Sequence, residues 1–223
     1  MKRWLAALMV VSFVAGCAHI QPDNDRSSKT AKYPEEFFEK AVVGPLDDGA
    51  YVVASTQVVS PGGKTLEFPS RPVDLALSPD GSLLAVKGRR EILFMDVHAE
   101  AIQQTLPMEK EGASFHGIAW ESDGSKVWVT TAGRFLLGAT RAENGTFKWT
   151  DEFELPGPEE KGPSAPGGFF LDNERGLIYV ALSRNNTIGV FDRNQRRLVA
   201  QIEVGIAPYT VIGKGSRAYV TNW

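Results

Sequence analysis

The sequence predicts an all-β fold made of short antiparallel strands that repeat along the chain, and three observations support this prediction. The 223 residues are 43% hydrophobic and 23% charged, an ordinary mixture for a globular protein with a core of its own. Glycine and proline are abundant, at 22 and 13 residues, as expected where many tight turns join short strands. From residue 71 onward, the chain repeats a pattern of apolar strand, glycine-containing turn and apolar strand.

The spacing of these repeats predicts the architecture. Asp80 and Asp123, which occupy equivalent turns, are 43 residues apart. The next spacing, from Phe115 to Pro166, is 51 residues, and a Pro- and Gly-rich loop at residues 157–166 accounts for the excess. A unit of four strands in about 40 to 45 residues is typical of a β-propeller blade. We therefore predict a partial β-propeller of about three and a half four-stranded blades, preceded by an N-terminal hairpin.

Residues 1–16 are predicted to be an export signal. They begin with two basic residues, and residues 4–14 are an apolar run too short to span a bilayer. Val14-Ala15-Gly16-Cys17 resembles the lipobox of bacterial lipoproteins, which implies that Cys17 is acylated and anchors the exported protein to the cell envelope on its periplasmic face. Ala18 after this cysteine favours the outer membrane. A general secretory signal cleaved near Ala18 is the alternative.

The remainder divides into a tether and the propeller domain. Residues 17–34 are polar and without periodicity, and we expect them to separate the domain, residues 35–223, from the membrane. The segment EEFFEKAV at residues 35–42 predicts one or two helical turns. Residues 50–68 predict the hairpin, with Pro61-Gly62-Gly63 between its two strands.

Composition and motifs exclude several functions. Without residues 1–16 the chain has 22 basic and 27 acidic residues, and the resulting net charge of −5 argues against nucleic acid as a partner. A single cysteine excludes a disulfide framework, a Cys-based zinc site and a Cys-x-x-Cys-His haem attachment. Histidine and carboxylate residues show no metal-ligand spacing, and no phosphate-binding loop or nucleophile elbow is found. We expect neither a metal nor a cofactor.

The repeats resemble a known family. Tyr219-Val220-Thr221-Asn222 matches the signature of YVTN-type, YncE-like β-propeller repeats, and Tyr179-Val180-Ala181-Leu182 is a looser copy. The resemblance covers roughly residues 71–223. Residues 43–87 also look like the start of bacterial proteins that fuse such a propeller to a C-terminal phosphoesterase of the alkaline phosphatase superfamily. This second resemblance implies a longer protein whose catalytic domain follows the propeller.

The number of blades also indicates whether this chain is part of a longer protein. A propeller ring has about four to eight blades, so about three and a half leave a ring incomplete and strand Arg217–Trp223 without a partner. We therefore expect the chain to be truncated at its C-terminus. The alternative is a short protein that completes its ring by oligomerising.

Candidate ligand-binding residues lie on the predicted inner strands and in the loops between second and third strands, which rim one mouth of the channel in propellers. They are Asp74, Lys87, Arg89, Arg90, His116, Arg134, Arg184, Asn185, Asn186 and Trp223. A mouth rich in Arg and Asn with an aromatic residue predicts a small anionic or sugar-like ligand, and a solvated polar rim is the alternative. Asp96 and Asp192 end the third strands of two units, and we expect them to bond nearby backbone donors.

Two functions follow as expectations. The first is a non-catalytic binding or scaffold propeller in the cell envelope, with an unidentified protein or small molecule as its partner and a phosphoesterase domain beyond residue 223. The second is a propeller-type lactonase-like hydrolase, for which Asp74 and His116 are the candidate acid–base groups. The fold by itself does not decide between them.

Overall fold

The computed structural model describes residues 32–223. These residues belong to two compact units, which divide between Thr65 and Leu66. The predicted signal peptide, the acylation site at Cys17 and residues 17–31 of the predicted tether lie outside the described residues. Within the described part of the chain, no helix is long and apolar enough to cross a membrane.

The first unit contains a short helix and a small antiparallel sheet with strand order β1-β2-β3. Its elements are α1 (Glu35–Lys40), β1 (Gly44–Pro45), β2 (Tyr51–Val52) and β3 (Val58–Val59). The helix confirms the prediction for residues 35–42. The predicted hairpin is formed by β2 and β3, but the prediction placed its turn wrongly. The turn spans residues 53–57, where the N–H of Val53 donates to the carbonyl of Gln57 at 2.9 Å. Val58 and Val59, which are β-branched, follow at once as the second strand, and residues 64–68 are not a strand.

The second unit consists of four antiparallel sheets, which we call blades 1 to 4 in chain order. Blade 1 comprises β4 (Asp74–Leu77), β5 (Leu83–Lys87), β6 (Glu91–Asp96) and β7 (Ala101–Pro107). Blade 2 comprises β8 (Ala113–Trp120), β9 (Lys126–Thr131), β10 (Phe135–Arg141) and β11 (Phe147–Glu154). Blade 3 comprises β12 (Pro166–Asp172), β13 (Leu177–Leu182), β14 (Thr187–Asp192) and β15 (Arg197–Glu203). Blade 4 comprises β16 (Pro208–Lys214) and β17 (Arg217–Asn222). The predicted three and a half blades are confirmed.

Local turn chemistry joins the first two strands of a blade. In blade 1 the N–H of Gly81 donates to the carbonyl of Ser78 at 2.9 Å, and Gly81 has φ +74°, a conformation that glycine adopts without strain. Asp80 accepts a hydrogen bond from the N–H of Ser82 at 3.0 Å and fixes the exit from the turn. Blade 2 repeats the arrangement at Gly124, which has φ +72°. The Asp-Gly pattern in the sequence therefore specifies these turns.

The aspartates that end the third strands have the predicted structural role. Asp96 accepts hydrogen bonds from the N–H groups of His98 and Ala99, at 2.8 and 2.7 Å. In blade 3, Asp192 accepts equivalent bonds from the N–H groups of Asn194 and Gln195, both at 2.9 Å. Each carboxylate holds the turn that leads into the fourth strand.

Two connections contain short 3-10 helices. The predicted loop at residues 157–166 joins blades 2 and 3 and includes one of them, Pro158–Glu160. The other, Ser183–Asn185, begins the loop between β13 and β14. It ends at Asn186, which has φ +56° and accepts a hydrogen bond from the N–H of Ala207 at 2.9 Å. This bond connects the loop of blade 3 to the segment that enters blade 4.

Adjacent blades pack face to face, with their inner strands β4, β8, β12 and β16 side by side. Between blades 1 and 2, the rings of Phe94 and Phe147 stack with centroids 3.8 Å apart, and Trp120 meets both edge-on. The indole N–H of Trp120 donates to the carbonyl of Ala76 in blade 1 at 2.9 Å. Similar apolar clusters join blades 2 and 3 and blades 3 and 4. Burial on both faces explains why strands such as β13 are apolar throughout.

Candidate functional site

A cavity of about 350 Å³ lies where the inner strands of blades 2, 3 and 4 begin. Its lining includes Ser114, Phe115, His116, Ser183, Tyr209 and Trp223. The lining side chains come together because β8, β12 and β16 lie next to one another and each contributes its first residues. The volume is that of a small-molecule pocket. We call it the inner cavity.

Asp74 and His116 form a hydrogen-bonded pair at this cavity. Nδ1 of His116 lies 3.0 Å from Oδ2 of Asp74, which also accepts a hydrogen bond from the N–H of Gly117 at 2.7 Å. Burial alone would raise the pKa of Asp74, but the hydrogen bonds from His116 and Gly117 outweigh it and hold this pKa below its usual value. The carboxylate is therefore ionised at neutral pH and orients the imidazole.

A bulge in β8 makes this arrangement sterically feasible. The pairing of β8 with β9 shifts register between Ala113 and Ile118, and Gly117 within the bulge has φ +112°. A Cβ on Gly117 would lie only 2.3 Å from Oγ1 of Thr130 and 2.7 Å from the carbonyl oxygen of Gly167. Only glycine fits there, and its N–H is free to donate to Asp74.

Lys87 lies in the interior of the second unit, away from the channel mouth where the sequence placed it. Its side chain is fully buried, and Nζ donates to Oγ of Ser114 at 2.7 Å and to the carbonyl oxygen of Gly117 at 2.9 Å. Burial lowers the pKa of Lys87 to about 7, although the Asp74 carboxylate opposes the shift. Lys87 therefore connects blade 1 to blade 2 and does not reach a ligand in the inner cavity.

The hydroxyl of Ser114 is surrounded by polar neighbours. Its Oγ lies within 2.7 Å of Nζ of Lys87 and of Oγ1 of Thr130, and within 2.8 Å of the carbonyl oxygen of His116. A serine hydroxyl has one proton to donate and two lone pairs with which to accept. The Lys87 ammonium takes one lone pair and nearby oxygens surround the hydroxyl proton, so Ser114 is part of the framework.

Aromatic rings form the open part of the cavity. The imidazole of His116 stacks on the ring of Tyr209 with centroids 5.3 Å apart and an interplanar angle of 8°. Trp223 meets the Tyr209 ring nearly at a right angle, 82°, with centroids 5.2 Å apart. Trp223 and Phe115 are 84% and 72% exposed, so their faces are available to a ligand.

The predicted Arg and Asn residues lie outside the lining of the inner cavity. Arg89 and Arg90 are exposed in the loop of blade 1, and Arg134 pairs with Glu154 at 3.2 Å. Arg184, Asn185 and Asn186 line a separate cleft of about 720 Å³. In that cleft the Asn185 amide donates to the carbonyl of Pro156 at 2.9 Å.

Of the predicted residues, His116 and Trp223 line the inner cavity and Asp74 bonds His116, whereas Phe115 and Tyr209, which also line it, were not predicted. Both of these residues lie near the start of an inner strand, Phe115 next to His116 in β8 and Tyr209 in β16. Alignment of the repeats in the sequence contained this information. Within residues 32–223, no group of three or more His, Cys, Asp and Glu side chains is placed to hold a metal ion.

No protein-family model and no curated protein sequence matches the chain. Solved structures do match. The WD40 repeats of RRP9 superpose with a TM-score of 0.54 at 14% identity, covering 66% of this chain and 43% of that one. The β-propeller domain of Cps50 (Swd1) from Myceliophteria thermophila superposes with a TM-score of 0.52 at 9% identity. The match covers 62% of this chain and 43% of that one. Hydrazine synthase of Kuenenia stuttgartiensis superposes with a TM-score of 0.52 at 18% identity, covering 69% of this chain and 42% of that one.

The fold is a partial β-propeller. At these identities the similarity concerns the fold alone, and the chain spans less than half the length of each of the three structures. The propeller brings the first residues of successive inner strands to one place, which explains why residues far apart in the sequence share a cavity.

The buried lysine makes stability depend on pH. The pKa of Lys87 is about 7 in the folded protein and about 10.4 in an unfolded chain, so folding releases a proton between these values. Stability is then lowest below about pH 7 and rises with pH, by at most about 1.4 kcal/mol per unit. We expect urea unfolding at pH 7, 8 and 9 to show this gain for the wild type relative to Lys87→Met. Parallel pH dependence of the two proteins would contradict the assignment.

Proposed function

We propose that this protein is a non-catalytic propeller that serves as a binding or scaffold domain, and that the inner cavity is its binding site. The proposal depends on one observation: Phe115, Tyr209 and Trp223 line the cavity with aromatic rings, and Phe115 and Trp223 are largely exposed. Aromatic surface in a concave site with few free polar groups is typical of binding pockets. The polar side chains around it, such as Lys87 and Ser114, are occupied with one another.

A catalytic site would need a different distribution of polar groups. An activated nucleophile needs a hydroxyl or thiol that has a lone pair free and faces the substrate. The Ser114 hydroxyl does not meet this requirement, because it contacts Nζ of Lys87, Oγ1 of Thr130 and the carbonyl oxygen of His116. Binding is therefore the function that these residues favour, and an unidentified protein or a small molecule is the proposed partner.

A screen of small molecules tests this proposal. We expect some members of a chemically mixed library to bind and to shift the indole N–H resonance of Trp223 in NMR spectra of the isotope-labelled protein. Tyr209→Leu removes one aromatic wall and should weaken such binding about tenfold. Tyr219→Leu, a matched change in the same blade at a residue outside the cavity lining, should leave it unchanged. If no compound perturbs Trp223, the inner cavity is not a binding site.

The Asp74–His116 pair favours a second candidate, a lactonase-like hydrolase. Asp74 holds Nδ1 of His116, and Nε2 has no partner among the described residues, so the imidazole is oriented as a general base would be. If this candidate is correct, the protein hydrolyses lactones and His116→Ala slows the reaction at least about 100-fold. Turnover that is absent, or that His116→Ala leaves unchanged, would exclude it.

We also propose that the chain is the exported, lipid-anchored N-terminal part of a longer protein with a C-terminal phosphoesterase domain. The supporting residues are the lipobox-like segment that ends at Cys17 and the propeller-fusion resemblance of residues 43–87. In cells that make the full gene product, we expect metal-dependent phosphoesterase activity in the membrane fraction. Cys17→Ser should move this activity to the soluble fraction, and residues 17–223 alone should have none. Activity in residues 17–223 would refute the fusion, and activity that stays with the membrane in Cys17→Ser would refute the anchor.

A further inference from the structure

The geometry points to the class of ligand that the inner cavity takes, which we infer to be a compact organic cation of the quaternary ammonium type. This inference rests on the proposed function and deepens it. It follows from the orientation of the aromatic walls, from the charges near them and from the hydrogen-bonding capacity that the framework leaves unused.

The aromatic walls are arranged to surround a small ligand. Tyr209 and Trp223 meet at 82°, so their rings form a corner, and Phe115 lines the same cavity. His116 stacks on Tyr209 and holds that wall in place. An aromatic face attracts a cation through its quadrupole, and several faces around one site are the recognised arrangement for quaternary ammonium groups.

The local charge has the right sign for a cation. Asp74 is ionised and pairs with His116, which lines the cavity, whereas no Arg or Lys side chain is among the lining residues that the structure describes. The nearest lysine, Lys87, is behind Ser114, and its lowered pKa reduces its positive charge at neutral pH. An anionic ligand would meet the Asp74 charge without a compensating cation, so the inner cavity disfavours the predicted anion.

Hydrogen-bonding capacity separates a cation from a sugar. Asp74 already accepts hydrogen bonds from Gly117, Leu75 and His116, and the Ser114 hydroxyl contacts Lys87 and Thr130, while Nε2 of His116 is left without a partner among the described residues. A sugar needs several free donors and acceptors to replace the water that it loses. A quaternary ammonium group has no N–H to satisfy, and a carboxylate with most of its lone pairs occupied still attracts it by charge.

Choline and its uncharged isostere, 3,3-dimethyl-1-butanol, test this inference directly, because they share one shape and differ in charge. In isothermal titration of the full chain at pH 7.5, we expect choline to bind at least about fivefold more tightly than the alcohol. Trp223→Leu should weaken choline binding at least about fivefold and reduce the preference for choline over the alcohol. Asp74→Asn should weaken choline binding and leave the alcohol unaffected. Tyr219→Leu is the matched aromatic control and should change neither affinity.

The outcomes separate this inference from the proposed function. Equal affinity for choline and the alcohol would overturn the cation inference, as would a methyl glucoside or glucose 6-phosphate that binds more tightly than choline. If other library compounds shift Trp223 and choline does not bind, the cation inference fails and the proposed function stands. If nothing binds, both fail.

Asp74 also holds Gly117, so circular dichroism must show that the Asp74→Asn variant is folded. If that variant does not fold, Trp223→Leu decides the test by itself, because Trp223 is exposed.

Discussion

The hydrogen bonds that Asp74 accepts from blade 2 connect the architecture of this protein with its candidate site. One carboxylate oxygen bonds both the N–H of Gly117, in the bulge of β8, and the imidazole of His116. Lys87, opposite Asp74 in the pairing of β4 and β5, crosses to the same bulge and bonds the carbonyl of Gly117. Blade 1 thus holds both the N–H and the carbonyl of Gly117. The position of His116, and with it one wall of the cavity, follows from this contact.

The polar contacts continue to the next blade and have a different role from the apolar clusters. Oγ1 of Thr130 in blade 2 lies 2.9 Å from the carbonyl oxygen of Gly167 in blade 3. Near the inner strands, directional bonds fix the spacing of the blades. Farther out, rings such as Phe94 and Trp120 supply burial, and each contributes roughly 1.5 to 3 kcal/mol when it leaves water. A buried lysine with a pKa near 7 costs stability, so the apolar clusters must offset the inner network.

How far the sequence predicts this structure depends on whether an interaction is local. The Asp80-Gly81 turn and the Asp96 and Asp192 caps were predicted correctly because each involves neighbours in the chain, and the blade count followed from the repeat spacing. The site was predicted only in part. Lys87 was placed at a channel mouth because nothing in its own segment indicates that it crosses to Ser114 of the next blade, 27 residues away. The turn of the N-terminal hairpin was misplaced because Pro61-Gly62-Gly63 is a stronger local turn signal than the one used.

The character of the site follows from what the framework leaves unused. In a propeller the residues nearest the channel have two roles, since they position the blades and also face any ligand. Here the framework engages the Ser114 hydroxyl, the Lys87 ammonium and most of the lone pairs of Asp74, so none of these three groups is placed as a nucleophile. It leaves the faces of Tyr209 and Trp223, which take no part in holding blades 1 to 3 together. The blades therefore favour a ligand that binds to the aromatic rings and is attracted by the charge of Asp74 without hydrogen bonding to it.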